Sequence, residues 1–89
     1  MTAPEILSTA SAIVTGDRQA QYGAPEDNFA RIAAMWSTYL ETDVSPVQVA
    51  WMLVLLKVAC AGSGAPHLDN AVDAAGYAAL AGQMAEGEQ

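Results

Sequence analysis

The chain has 89 residues, of which 53% are hydrophobic and 15% charged, and ten acidic residues against three basic ones give a formal net charge of −7. This composition excludes intrinsic disorder and disfavours direct binding to DNA or to an anionic membrane surface, because both partners attract clustered positive charge. Roughly one residue in five is alanine, which is typical of closely packed helices, and the length allows one small domain.

The single cysteine and the N-terminal residues indicate a compartment. Cys60 has no second cysteine with which to form an internal disulfide, and we expect it to face a helical core as a small hydrophobic residue. The N-terminal residues lack the basic region of a secretory signal, and the longest apolar run, 49–56, is far shorter than the ~20 residues of a membrane-spanning helix. We therefore expect a cytoplasmic protein with no membrane partner.

The first two helices are predicted at about residues 4–15 and 25–40. Thr2 and Glu5 have the spacing of a capping box at the start of the first helix, and Pro25 opens the second helix at a position that tolerates proline. The apolar residues of the second helix form one inward stripe, consisting of Phe29, Ile32, Ala33, Trp36 and Leu40.

The third helix, at about residues 46–61, has the strongest N-terminal signal of the chain. Ser45 is a capping residue, Pro46 occupies the first helical position, and Gln48 follows the cap by three residues. Between residues 49 and 56 the helix is apolar on every side, which predicts a helix surrounded by other helices.

The fourth helix is predicted at about residues 68–84, with Leu68, Val72, Ala75 and Ala79 as its inward stripe. Its many alanine and glycine residues allow another helix to approach closely. Because a chain this short can barely enclose the apolar third helix, we expect an all-α, compact four-helix domain that forms a homodimer or a higher homo-oligomer.

Lys57 is the most informative polar position. No acidic residue lies at helical spacing on its own helix, and an unpaired buried charge costs several kcal/mol. We expect its ammonium group to lie within ion-pair distance of Asp69 or Asp73 on the fourth helix. In the structural alternative, the aliphatic stem of Lys57 lies along its helix and the ammonium group sits near the helix C-terminus, where the helix dipole favours positive charge.

Asp69, Asn70, Asp73 and Tyr77 share one polar face of the fourth helix. Two carboxylates one turn apart can bind a hard cation such as magnesium, so Asp69 and Asp73 are candidate metal ligands, and Asn70 and Tyr77 are candidate ligand-binding residues. In the ordinary structural alternative, Asp69 caps the helix and Asp73 is a solvated charge. His67 lacks the spaced partners that a zinc site requires.

A polar segment with a glycine at each end, 16–23, connects the first two helices and is predicted to be a loop that reaches a ligand. It contains the candidate ligand-binding residues Asp17, Arg18 and Tyr22, to which we add Asn28 at the start of the second helix. Arg18 can bind a phosphate group through two hydrogen bonds or form a surface ion pair with an acidic neighbour.

Two motifs, YGxPxxNF at residues 22–29 and DNxVDxAGYA at residues 69–78, lie within a pattern that extends over nearly the whole chain. The pattern resembles a small uncharacterised family encoded by bacteriophages and prophages. This resemblance implies a phage-type protein located in the cytoplasm of an infected or lysogenic bacterial host, and it implies no particular activity.

A weaker likeness is to MazG-like all-α nucleotide pyrophosphohydrolases, which bind magnesium with an ExxE pair on one helix and an ExxD pair on a later helix. Residues 70–73 have the ExxD spacing, but Asn70 stands in place of the glutamate and the chain has no ExxE pair. The likeness implies magnesium as a cofactor and a metal-bound water as the nucleophile.

Three functions follow as hypotheses, and the sequence leaves open whether the protein is an enzyme. The first is a binding protein for a phosphate-bearing small molecule or nucleotide, which uses Lys57, Arg18 and Tyr22 together with the acidic residues of the fourth helix. The second is a magnesium-dependent nucleotide pyrophosphohydrolase of reduced MazG-like type. The third is an interaction protein whose acidic surface binds a host factor.

Overall fold

The computed structural model describes residues 1–16, 23–64 and 67–87. These residues form four α-helices and no strand: α1 (Ala3–Thr15), α2 (Pro25–Leu40), α3 (Pro46–Ala61) and α4 (Leu68–Gly87). The predicted all-α architecture of four helices is confirmed. Within the described residues, no helix combines the length and apolar character needed to cross a membrane.

Hydrogen bonds at the N-termini fix where α1 and α3 begin. The Thr2 hydroxyl accepts a hydrogen bond from the Glu5 backbone N–H, and the Glu5 carboxylate accepts one from the Thr2 backbone N–H. Ser45 and Gln48 form the same reciprocal pair at α3, over 3.1 and 2.8 Å. Both capping boxes expected from the sequence are present, so these two helices begin where local side chains satisfy their first N–H groups.

The connection between α2 and α3 is held by one hydroxyl group. The Ser37 side chain accepts a hydrogen bond from the Val44 backbone N–H over 2.8 Å and donates one to the Val44 carbonyl over 3.2 Å. Between them, Glu41 adopts the left-handed conformation, with φ 56° and ψ 38°, and reverses the chain direction at the end of α2. These bonds fix the chain at the entrance to α3.

The core is centred on the contact between α3 and α4, which is the most extensive helix pair. Val49 and Ala50 on α3 and Ala81 on α4 have no exposed surface. Two of these three residues are alanines, so the two helix backbones approach closely. The rest of the buried cluster is Phe29 and Ala33 from α2 and Leu80 and Met84 from α4.

The other two helices each pack on a different member of this central pair. Helix α1 packs on α4, and α2 packs on α3. A hydrogen bond of 2.6 Å from the Gln83 side-chain amide to the Glu26 carboxylate also joins α2 to α4. Helices α1 and α2 are not an extensively packed pair, so space remains between them.

Within the single chain, other helices cover only one face of α3, as expected of a chain too short to enclose it, and the homo-oligomer that would cover the other face stays a prediction. One face of α3 packs on α4 and α2, while Trp51, Leu55 and Val58 on the other face are 49, 65 and 59% exposed. Cys60 is also exposed, contrary to expectation, because the last turn of α3, residues 58–61, buries none of its side chains.

The predicted inward stripes need correction at three positions. Leu68 and Ala79 on α4 are exposed, and Leu40 at the end of α2 is 49% exposed. The buried row of α4 has a four-residue spacing and consists of Val72, Gly76, Leu80 and Met84, with Ala81 beside it. Alanine and glycine on several faces of α4 make its apolar periodicity weak, so the sequence pattern did not identify the buried row.

Gly76 and Gly82 provide a test of how closely α1 approaches α4. A Cβ atom at Gly82, which is exposed, would meet no atom within 4 Å, whereas one at Gly76 would lie 3.1 Å from a methyl carbon of Val14 on α1. We expect Gly82→Ala to raise the free energy of unfolding by about 0.5–1 kcal/mol through helix propensity. Gly76→Ala should raise the free energy of unfolding by less, because the Val14 side chain must shift to make room for the new methyl group.

Urea unfolding followed by circular dichroism measures both changes. A gain for Gly76→Ala equal to or larger than that for Gly82→Ala would contradict the close approach of α1 to α4 at this position.

Candidate functional site

Lys57 on α3 and Asp73 on α4 form an ion pair. The ammonium nitrogen lies 3.0 Å from a carboxylate oxygen, and the two side chains are 23 and 24% exposed. The pair is therefore partly shielded from water. The expectation that Lys57 lies within ion-pair distance of Asp69 or Asp73 is confirmed, with Asp73 as the partner.

The helical positions of the two residues explain their contact. Lys57 follows Ala50 by seven residues and Leu53 by four, so it extends the face of α3 that packs on α4. Asp73 is next to the buried Val72 and precedes Tyr77 by one turn of α4. The packing of α3 against α4 thus brings together two charges that have no partner on their own helices.

The ion pair changes the protonation equilibrium of Lys57. The hydrogen bond to Asp73 raises the pKa of Lys57 above its ordinary value, and the negative charge of Asp73 contributes in the same direction. Partial burial opposes this effect by a smaller amount. The charged form of Lys57 is therefore favoured in the folded protein.

A cavity of about 280 Å³ lies between α1, α2 and α4, with Leu53 of α3 also in its wall. It occupies the space left because α1 and α2 pack on different helices. Most of the wall is apolar, and the lining residues are Ile13, Val14, Gly23, Pro25, Asn28, Phe29, Ile32, Leu53, Val72, Asp73, Gly76, Tyr77 and Leu80.

Three polar side chains line this cavity, and all three were candidate site residues in the sequence. Asn28 enters from the first turn of α2, and Asp73 and Tyr77 enter from successive turns of α4. The Tyr77 ring lies 6.5 Å from the Phe29 ring, centroid to centroid, with the ring planes tilted by 57°. The cavity thus combines two aromatic rings with a carboxylate, a phenol and an amide.

The other candidate residues are placed differently. Asn70 is half-buried and Asp69 and His67 are exposed, and none of the three is among the residues that line the cavity. Asp17, Arg18 and Tyr22 lie outside the described residues. The described chain resumes at Gly23, which belongs to the cavity wall.

The magnesium site expected at Asp69 and Asp73 stays a prediction. Among residues 1–16, 23–64 and 67–87, no group of three histidine, cysteine, aspartate or glutamate side chains is placed to hold a metal ion. Of the two expected ligands, Asp69 is exposed and Asp73 is engaged by Lys57.

Sequence reasoning missed most of the apolar cavity wall. Phe29 and Ile32 were assigned only to the core stripe of α2, although both also face the cavity. Gly76 gave a usable signal, because glycine within a helix often marks the close approach of another element. The space between α1 and α2 depends on how whole helices pack and leaves no signal in a local pattern.

Comparison with known proteins places the chain in a family. Residues 5–85 match the model of a family described as a domain of unknown function, DUF6378. The chain belongs to this family. It is also 40% identical over 73 residues to the Gene 55 protein of Mycobacterium phage D29, and 40% identical over 80 residues to the Gene 55 protein of Mycobacterium phage L5.

The matches to the two phage proteins cover 82 and 89% of this chain but only 48 and 51% of the respective relatives. This DUF6378 chain therefore spans about half the length of the curated relatives that it matches. No solved structure gives a significant match. The expectation of an uncharacterised phage protein family is supported, whereas no match to a MazG-like enzyme is among these relatives.

The ion pair predicts strong coupling between two substitutions. We expect Lys57→Met and Asp73→Asn each to lower the free energy of unfolding by about 1–2 kcal/mol, because each leaves a partly buried group without its partner. The double variant should lose less than the sum of the two. Urea unfolding of the four proteins measures the coupling.

Asp69→Asn is the matched control for this cycle. Asp69 is exposed and is not the ion-pair partner of Lys57, so its loss should be additive with that of Lys57→Met. Additive losses for Lys57→Met and Asp73→Asn would show that the ion pair contributes nothing to stability.

The raised pKa of Lys57 also predicts a dependence on pH. Since the folded pKa lies above the ordinary value of 10.5, the stabilisation by charged Lys57 is complete below that pH and is lost as pH rises through the folded pKa. The stability difference between the wild type and Lys57→Met should be constant from neutral pH to about pH 10. It should then shrink above that range, and a difference that grows with alkalinity would contradict the ion pair.

Proposed function

We propose that this protein binds a phosphate-bearing small molecule of the nucleotide class, with the ring of the ligand in the cavity between α1, α2 and α4. The observation that carries the proposal is an apolar cavity that also contains Asn28, Asp73 and Tyr77. Small-molecule sites are commonly apolar clefts in which a few polar groups orient the ligand.

The size and aromatic content of the cavity favour a flat heterocycle. A volume of about 280 Å³ lies just below the ~300–1,000 Å³ typical of ligand sites, so the cavity suits one ring system better than a large cofactor. Phe29 and Tyr77 present two tilted rings, and contact between a base and an aromatic ring contributes about 1–3 kcal/mol per base in single-stranded nucleic-acid complexes.

The polar groups match the edge of a nucleobase. The Asn28 amide both donates and accepts hydrogen bonds, the Asp73 carboxylate accepts them, and the Tyr77 hydroxyl does either. A nucleobase presents donors and acceptors side by side on one edge. These three side chains can therefore orient such a ring within an otherwise apolar wall.

The phosphate group must lie away from Asp73, because two negative groups in contact repel each other. We assign it to the edge of the cavity formed by Gly23, where the candidate residues Arg18 and Tyr22 are close in sequence. Arg18 stays the sequence-based candidate for phosphate binding, because a guanidinium group supplies the two parallel N–H donors that phosphate accepts.

Ligand binding is tested with nucleosides, nucleoside monophosphates and inorganic phosphate as separate probes. We expect at least one nucleoside monophosphate to bind more tightly than its nucleoside and than inorganic phosphate, as measured by isothermal titration calorimetry. Mass spectrometry of small molecules retained on the protein purified from host cells provides an independent readout.

Two asparagines provide a matched pair of variants. Asn28→Ala removes an amide from the cavity wall and should raise the Kd of the nucleotide about tenfold, since one lost hydrogen bond to a ligand costs about 1.4 kcal/mol. Asn70→Ala, at a half-buried position outside the cavity lining, should leave the Kd nearly unchanged. Equal effects of the two substitutions, or no binding of any probe, would refute the proposal.

The same samples separate binding from catalysis. Incubation of nucleoside triphosphates with the protein and magnesium, followed by chromatography, should return the triphosphate unchanged. Release of pyrophosphate and monophosphate would instead support the magnesium-dependent pyrophosphohydrolase.

A further inference from the structure

The outer face of α3 is apolar and uncovered in the single chain. Trp51, Met52, Leu55 and Val58 are between 39 and 65% exposed. Successive residues of a helix are 100° apart, so these four side chains occupy about a third of the helix circumference. We refer to them together with Ala59 as the outer stripe.

The outer stripe contains no charged residue. Helix α3 has no aspartate or glutamate, and its only charged residue, Lys57, is paired with Asp73 of α4 on the inner side. A basic partner would therefore find no carboxylate on this face, although the chain as a whole carries a net charge of −7. The outer stripe therefore fits a partner surface that is itself apolar and uncharged, such as the outer stripe of a second copy.

The chain exposes more surface than a compact monomer of its mass. The chain has an accessible surface of 5930 Å², whereas the scaling relation for compact monomers gives about 4,900 Å² for a mass of 9.2 kDa. This excess belongs to the surface of the whole chain, and each partner of a stable protein–protein complex buries ~800 Å², so the chain has surface available for a second copy to cover. Apolar patches of several hundred Å² commonly mark interaction sites.

We propose that a second copy of this chain covers the outer stripe, with the two α3 helices antiparallel about a twofold axis at Leu55. In this register Trp51 faces Ala59 of the other copy, and Met52 faces Val58. Trp51, the largest side chain of the stripe, thus contacts Ala59, the smallest, and the side chains of Met52 and Val58 are of intermediate size. The stripe is self-complementary in shape, as a twofold interface requires.

The antiparallel arrangement is also compatible with the charges and with the cavity. The dipoles of two antiparallel helices are oriented favourably, and the acidic residues of both copies lie outside α3. Leu53, which lines the cavity, is on the inner side of α3. Pairing through the outer stripe therefore leaves the cavity accessible in each copy.

Two leucines with equal exposure test the interface. Leu55 and Leu7 are 65 and 62% exposed in the single chain, so replacing either with glutamate leaves the core intact. We expect the wild type and Leu7→Glu to sediment as dimers at micromolar concentration. Leu55→Glu places two carboxylates at the twofold axis and should raise the dimer Kd at least about 100-fold, with unchanged helical circular dichroism.

Crosslinking tests the register. In a Cys60→Ser background, Leu55→Cys should oxidise to a covalent dimer, because residues at the twofold axis face each other. Val58→Cys should not, since the two copies of residue 58 are offset by about 9 Å along the helix axis, beyond the reach of a disulfide.

Three results would overturn the proposal. The first is a wild type that remains monomeric, which would leave the stripe to another occupant. The second is a Leu55→Glu variant that remains dimeric, which would place the interface elsewhere. The third is efficient crosslinking through Val58→Cys, which would indicate parallel helices.

Discussion

The close packing of α3 on α4 is the constraint on which the rest of the structure depends. It is made by Val49, Ala50 and Ala81, which have no exposed surface. Small residues at this contact bring the two backbones together, and the same approach places Lys57 beside Asp73. The ion pair is therefore a consequence of the helix contact as well as a contribution to it, because a wider separation would leave both charges unpartnered.

The same constraint determines the cavity and the outer face of α3, on which the two proposals rest. Once α3 packs on α4, the remaining helices attach to different members of the pair, and a cavity is left between α1 and α2. The outer side of α3 has no helix left to cover it. The core between α3 and α4 contains small side chains, so the two backbones lie close together. Larger apolar side chains of α3, such as Trp51 and Leu55, remain exposed on its outer side.

The features that could be predicted from sequence are those with a local cause. The starts of α1 and α3 were predictable because capping depends on residues three positions apart. The ion pair of Lys57 was predictable because a charged side chain within an apolar helix requires an oppositely charged partner. The inward stripe of α4 was misplaced at Leu68 and Ala79, since alanine and glycine make several faces nearly equivalent. Cys60 was assigned to the interior because the sequence of α3 is apolar on every side, whereas in the single chain only one face of this helix is covered. Asn28, Asp73 and Tyr77 were identified as polar positions, but their convergence on one cavity depends on the gap between α1 and α2, which no local pattern encodes.

The two hydrogen bonds between the Ser37 hydroxyl and the Val44 backbone hold the α2 side of the cavity, and the described part of the chain has no equivalent bond on the α1 side. They fix the direction in which α2 leads into α3, and the bond between Glu26 and Gln83 ties α2 to α4 as well. Helix α1, in contrast, packs extensively on α4 alone, along a face that includes Val14 and Gly76. Among the described residues, one wall of the cavity is thus held by contacts with two helices and the other wall by contacts with one. The width of the cavity therefore depends chiefly on how α1 packs on α4.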